Sequence, residues 1–271
     1  MSRVKSKGGG RAMDHDGTAS VTVNSVERAF AVLRCFDAAH PARTLSEVAV
    51  EVGLPRGTTR RFLHTLVQLG YLHLDGRLFS LTPLVLIFGH SYLAVHDLPR
   101  IAQPHIDRLA ADLGETASVA VMSGEDIIYV ACSQSRRVVT AAITVGTKFP
   151  AHATSSGRVL IGHLPPAERE RYFATAILRQ FTARTVVDRR VLRSDVNHVV
   201  EQGWSTVADE LEMGMRAAAV PVRDPGGTVV AAVNVSLQKS RYTVDDVRYD
   251  IAPTLIEAAA AITSDMAAPA V

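Results

Sequence analysis

Apolar residues set a clear rhythm along the first third of the chain. Val26, Ala29, Phe30, Leu33 and Phe36 recur at helical spacing and predict a helix over residues 25–36, with Ser25 as its cap. His40-Pro41-Ala42-Arg43 reads as a linker. Thr44-Leu45-Ser46-Glu47 matches a capping box, in which hydroxyl and carboxylate satisfy each other's exposed amides, and opens a short helix over 45–52. Gly53 ends that helix, where a left-handed backbone is cheap, and Pro55 suits the first turn of a third helix reaching about residue 69. Leu54, Thr59, Phe62, Leu63, Leu66 and Leu69 supply its inner side; Arg56, Gly57, Thr58, Arg60, Arg61 and His64 lie on the other. After Gly70 the period changes to two: residues 71–74 and 77–81 alternate around Asp75-Gly76, a hairpin signal. Three helices followed by a hairpin make a winged helix-turn-helix, mainly α with a β-hairpin wing.

Leu84, Val85, Leu86, Phe88, Tyr92 and Leu93 then form a helix too apolar to stand alone, which a dimerising linker explains. Residues 101–113 are an amphipathic helix. Strands over 118–122 and 127–131 flank Ser123-Gly124-Glu125-Asp126; a further strand covers 138–145, and 146–150 is a loop. Helices follow over 157–164, 167–176 and 188–202, the last ended by Gly203. Strands over 217–222 and 229–236 flank Asp224-Pro225-Gly226-Gly227, and 244–266 closes the chain as a long helix. Strand pairs with helices before and after give an α+β domain on an antiparallel sheet. The expected division is a disordered tail over 1–20, a winged helix-turn-helix domain over 21–82, a linker helix over 83–97, and an α+β domain over 98–271.

Charge sharpens this division. Residues 1–80 hold 11 Lys+Arg and 7 Asp+Glu (11 − 7 = +4), and the remainder 18 and 20 (18 − 20 = −2), so the basic end suits a polyanion. Hydrophobic residues at 47% and charged residues at 21% describe ordinary globular material. No window is apolar enough for a membrane span and no secretory core opens the chain, so the expected compartment is cytoplasmic. Cys35 and Cys132 lie far apart with no His/Cys cluster beside them; they read as free thiols, with no metal site and no cofactor.

On the third helix the arginines cluster in the opening turns, where a recognition helix meets base edges and phosphates. Arg56, Arg60 and Arg61 can bond bases or backbone, Thr58 can touch a thymine methyl, and Gly57 admits close approach. Thr44, His64 and, from the hairpin, Arg77 complete the candidate DNA contacts. The plain alternative is a solvated charged face. No nucleophile elbow, phosphate loop, dinucleotide glycine pattern or metal-ligand spacing is present, so an enzyme is not expected. The competing reading is a small hydrolase or ligand-binding protein with an accessory DNA-binding domain, using His152, Ser155 or Ser156, and Asp209 or Glu210.

The stretches SVERAFAVLRCFD, TLSEVAVEVGLPRGTTRRFLHTLVQLGYL, VGTKFPAHATSSGRVLIGHLP and QGWSTVADELEMGMRAAAVPVRD together resemble the IclR family of bacterial regulators over about residues 23–262. Within it, LPRGTTRRFLHTLVQLGY, DGRLFSLTP and SRRVVTAAITVGTKFPAHATSSGRVL look most like the subgroup controlling the β-ketoadipate pathway of aromatic-acid breakdown, with substrates such as protocatechuate and 4-hydroxybenzoate. The resemblance implies a GAF-like effector domain and a homodimer or dimer of dimers on a palindromic double-stranded DNA operator. RNA polymerase would join the partners of an activator; a membrane would not. By family position the effector pocket is lined by Ser155-Ser156-Gly157, the stretch from Asp209 to Met215, and the strand carrying Asn234 and Ser236.

Chemistry agrees with a small carboxylate effector. A helix start at Ser155, Ser156 and Gly157 offers free amides and the positive end of the dipole, although either serine can be a simple N-cap. Arg136 and Arg137 can pair with a carboxylate or remain solvated. Asp209 and Glu210 can orient a donor or pair with Arg216. His152 lines the pocket or is a satisfied buried histidine, and Met215 supplies an adaptable apolar wall.

Overall fold

The computed structural model describes residues 22–134 and 143–268. The chain divides into two compact units, one ending at Phe88 and the other beginning at Gly89.

In the first unit α1 (Asn24–Leu33), α2 (Leu45–Glu51) and α3 (Arg56–Gln68) surround a core of Val32, Phe36, Val48, Leu63, Leu66, Leu72 and Phe79. The strands β1 (Ala42–Thr44), β2 (Leu72–Asp75) and β3 (Leu78–Leu81) form an antiparallel sheet in the order β1-β3-β2. This is the expected winged helix-turn-helix, with two local differences. Ser25 is not the cap of α1: Val23 takes that position without a side-chain bond, and its carbonyl accepts from the Val26 amide at 2.9 Å. The expected linker contributes β1, because Ala42, Arg43 and Thr44 pair with Ser80, Phe79 and Leu78 and occupy an edge the hairpin would leave open.

A short 3₁₀ turn (Pro83–Val85) leads into α4 (Leu86–Val95), on which no residue is buried. In the second unit, α5 (Asp97–Leu113) precedes β4 (Thr116–Ser123) and β5 (Asp126–Ser133). There follow β6 (Lys148–Pro150), α6 (Ser155–Gly162), α7 (Pro166–Thr175) and α8 (Arg189–Gln202). The chain then forms β7 (Ser205–Ala208), β8 (Met215–Arg223), β9 (Val229–Gln238), α9 (Val244–Asp246) and α10 (Ala252–Ala267). A π-helical turn (Val247–Ile251) joins the last two helices and precedes Pro253, which cannot donate to the helix ladder.

The six strands form one antiparallel sheet, ordered β6-β5-β4-β9-β8-β7. Alternation gives it two faces. Val119, Val233, Val235, Ala218 and Val220 pack beneath α5 and α10; Ala120, Ala232 and Ala219 face α6 and α8. Three sequence expectations need correction. The 146–150 loop contains β6, because Phe149 and Lys148 pair with Ile127 and Ile128 on β5. Residues 143–146 are not strand: Thr144 and Thr147 close a turn, with the Thr147 amide 3.0 Å from the Thr144 carbonyl. The β7 strand was not expected at all; it is only four residues long and pairs along β8. The tail over 1–20, Arg136, Arg137 and the start of the 138–145 strand lie outside the described residues.

Candidate functional site

Two candidate sites emerge, one in each unit. The first is the exposed face of α3. Thr59, Leu63 and Leu66 are buried on its inner side, which leaves Arg56, Gly57, Arg60 and Arg61 exposed on the other. Among the described residues none of these arginines, nor Arg77 at the hairpin, forms an ion pair. A face of unneutralised guanidiniums on a helix with no acidic first turn is a polyanion surface. Gly57 adds a second indication. A Cβ there would meet nothing within 4 Å, so packing does not require glycine, although glycine costs helix stability. The open space there leaves room for close approach of another molecule's backbone.

The other expected contacts have local work. Thr44 is the N-cap of α2, its hydroxyl 3.4 Å from the Glu47 amide and 2.9 Å from the Glu47 carboxylate. His64 is half-buried and packs edge-on against Phe79 at 5.9 Å. Thr58 is half-buried beside the arginine face.

The second site is a cavity of about 120 Å³ between the sheet and the start of α6. Tyr129, Ile143, Phe149, Val207, Leu211 and Met215 give it apolar walls; Thr116, Thr154, Ser155 and Ser236 add hydroxyls. Thr116 and Ser236 face each other across β4 and β9, and Ala217 and Val207 continue that row. The cap of α6 is Thr154, whose hydroxyl accepts from the Gly157 amide at 3.1 Å. The Ser155 and Ser156 amides therefore stand in the first turn without intrahelical acceptors, at the positive end of the dipole.

Not every expected effector residue reaches this cavity. Ser155, Asp209, Glu210, Met215 and Ser236 border it; His152, Ser156, Gly157 and Asn234 do not. His152 is buried with Nε2 2.9 Å from the Arg179 carbonyl, and burial holds its pKa below the usual value. Gly157 is a packing glycine, since a Cβ would lie 2.0 Å from the Ala151 carbonyl oxygen. Arg216 is not the partner of either acid: Glu210 pairs with Arg158 at 2.7 Å, and Asp209 pairs with Lys239. These bonds fix the stretch that closes the cavity. Asp209 takes a left-handed backbone (φ 62°), and its Oδ1 accepts from the Gly214 amide at 2.7 Å. Lys239 and that amide hold the Asp209 carboxyl below its usual pKa. With His152 on a backbone carbonyl and both acids engaged by cations, the hydrolase arrangement is not assembled among the described residues.

The walls Tyr129, Phe149 and Thr116 escaped sequence reasoning. Strand register was the available signal for Thr116, which is the cross-strand neighbour of Ser236.

Models of two protein families match the chain: the IclR helix-turn-helix domain over residues 25–76 and the bacterial transcriptional regulator IclR C-terminal domain over residues 90–264. The chain belongs to the IclR family of bacterial transcriptional regulators. This IclR-family regulator is 38% identical to the Pca regulon regulatory protein of Pseudomonas putida, over 87% of its own length and 81% of that protein. It is 31% identical to the p-hydroxybenzoate hydroxylase transcriptional activator of Acinetobacter baylyi, over 83% and 86%. Among solved structures it resembles a putative transcriptional regulator from Rhodococcus sp. RHA1, with TM-score 0.76, 43% identity and coverage of 91% and 99%. It also resembles an IclR homolog from Microbacterium hydrocarbonoxydans complexed with 4-hydroxybenzoate, with TM-score 0.73, 26% identity and coverage of 89% and 98%. The regulator thus combines a DNA-binding winged helix with an effector-sensing α+β unit. No helix among its described residues is long and apolar enough to cross a membrane.

Proposed function

We propose that this regulator controls genes of aromatic-acid breakdown and senses a single-ring carboxylic acid in the cavity beside α6. The cavity itself carries the reading. Its volume of about 120 Å³ is comparable to the roughly 150 Å³ engineered cavity that takes a benzene ring. Apolar walls suit the ring, and the free Ser155 amide at the start of α6, where the helix borders the cavity, suits its carboxylate. Likeness to regulators named for the Pca regulon and for p-hydroxybenzoate hydroxylase supports the same class of ligand.

The α3 arginines read an operator in the major groove. The unburied apolar residues of α4, with Leu86 at 69% and Phe88 at 53% exposure, support a homodimer on a two-fold symmetric site. Effector and DNA then act on one equilibrium, and their coupling can be no larger than the difference in effector affinity between the two dimer arrangements. A thermal-shift screen of the full chain against single-ring acids tests the ligand. One or more acids should raise the melting temperature in a concentration-dependent way. A flat response across benzoates, hydroxybenzoates and their ring-opened dicarboxylates would remove the effector assignment.

A further inference from the structure

One short turn, just after β9, holds both the rim of the cavity and the end of α5. Lys239 pairs with Asp209, and its amide donates to the Gly214 carbonyl at 2.9 Å, so it fastens the closing segment at both ends. Two residues later, Arg241 Nη1 lies 2.5 Å from Oε1 of Glu115, a fully buried residue between α5 and β4 in the chain. The Tyr242 hydroxyl donates to the Leu113 carbonyl at 3.2 Å, and the Arg241 guanidinium lies over the Tyr242 ring, 5.4 Å from its centroid. The Arg241 and Tyr242 amides close the turn on the Gln238 carbonyl at 3.0 and 3.3 Å. Leu113 is the last residue of α5, and Thr116, next after Glu115, borders the cavity. From there α5 runs back 17 residues, roughly 25 Å at helical rise, to Asp97. Only His96 separates it from α4, which spans the boundary between the two units along the chain.

We propose that the turn from Lys239 to Tyr242 is the relay of this regulator: it passes a displacement of the cavity rim to α5, and through α5 to α4. The inference rests on the reading of the cavity as the effector site. A ligand that shifts Asp209 shifts Lys239 with it, and Arg241 and Tyr242 carry the movement to Glu115 and Leu113. A buried ion pair is a poor source of stability, because desolvation offsets much of its attraction. Its use here is to hold one register between the turn and α5. Close-packed interiors transmit strain, so a shift at one end of α5 reaches the other. Position between two sites does not by itself couple them; the coupling is read by cutting the two bonds to α5.

Operator anisotropy with and without saturating 4-hydroxybenzoate reads the coupling in the full chain. The wild-type operator Kd should change about fivefold or more when the acid is added. Arg241→Met should abolish most of that change, and Arg241→Lys, which keeps the charge, should retain most of it. Tyr242→Phe deletes one hydroxyl and should lower the change about threefold, the scale of a single hydrogen bond; it serves if Arg241→Met does not fold. In each variant the affinity for the acid, by calorimetry, and the acid-free operator Kd should stay within about threefold of wild type. Folded variants that keep the full wild-type change overturn the proposal, even with a lowered melting temperature, because the turn is then structural only. Loss of acid binding in them also overturns it, as does a wild-type operator Kd that ignores bound acid. A ligand-free measurement separates the relay from the effector reading. Lys239→Met, at the rim, should speed hydrogen exchange over residues 110–116 about tenfold; unchanged exchange there overturns the relay whatever the protein binds. A wild type that binds no 4-hydroxybenzoate removes that acid from the effector reading, and the exchange result alone then decides the relay.

Discussion

Arg158 of α6 and Glu210, at the edge of the cavity, form a buried ion pair, Nη2 to Oε1 at 2.7 Å. Arg158 Nε also donates to the His152 carbonyl at 3.2 Å, and Glu210 Oε2 accepts from the Val186 amide at 3.0 Å. The pair thus ties α6 to the segment that closes the cavity. Removing one partner strands the other charge in the interior. Arg158→Ala should cost about 3–5 kcal/mol of folding stability, measured by urea denaturation. A loss below about 1 kcal/mol would show that the surroundings resolvate Glu210 and that the pair is not a structural tie.

Gly57 on α3 is expected to set stability against DNA binding. Gly57→Ala should stabilise the winged helix by about 0.5–1 kcal/mol, since the added methyl has open space around it. The same change should weaken DNA binding. Thermal unfolding and a gel-shift titration read the two effects; a variant that is more stable and binds DNA unchanged would remove the close-approach argument.

Arg56→Ala and Arg60→Ala should each weaken binding to the selected operator by about 1–3 kcal/mol for every base the arginine reads, with folding intact. Titrations at fixed salt against operator and scrambled duplex distinguish base reading from phosphate attraction. Equal losses on both sequences would assign these residues to the phosphates.

Legibility differed between the two units for physical reasons. The winged helix could be read almost element by element, because each element carries a local signal: the Thr44–Glu47 box, Gly53, Pro55 and the Asp75-Gly76 turn. Only β1 was missed, three residues whose strand character comes from pairing with β3. In the second unit the hairpins and helices were also legible. The cavity was less so, because its walls come from elements far apart in sequence. Ser155 and Ser156 were the expected cap candidates, and the fold uses Thr154 instead, a choice made by packing. The partners of Asp209 and Glu210 lie 30 and 52 residues away in sequence, beyond any local pattern.

Buried His152 gives a pH dependence of definite sign. Its folded pKa lies below the unfolded value, chiefly because burial disfavours the charged ring. Stability from this group is complete above the unfolded pKa, near 6.5, and declines as pH falls from there toward the folded pKa. Melting temperature should therefore drop as pH falls below about 6.5, and His152→Gln should flatten part of that drop. An identical profile in the variant would assign it elsewhere, with His163, similarly depressed by burial, the next group to replace.

The exposed apolar residues of α4 predict self-association. Leu86→Lys combined with Leu93→Lys should shift the chain from dimer to monomer in sedimentation velocity at micromolar concentration. A wild type that is monomeric there and still binds its operator would remove this helix from the assembly.

One small acid should control how this chain holds DNA. The direct measurement is fluorescence anisotropy with a labelled operator, selected by the full chain from a random pool, at fixed salt, with and without the acid found by thermal shift. A saturating acid should change the operator Kd by about 5–150-fold, the usual range of allosteric coupling, and Arg56→Ala should lower affinity in both states. An operator Kd that stays constant while the acid demonstrably occupies the protein would contradict it.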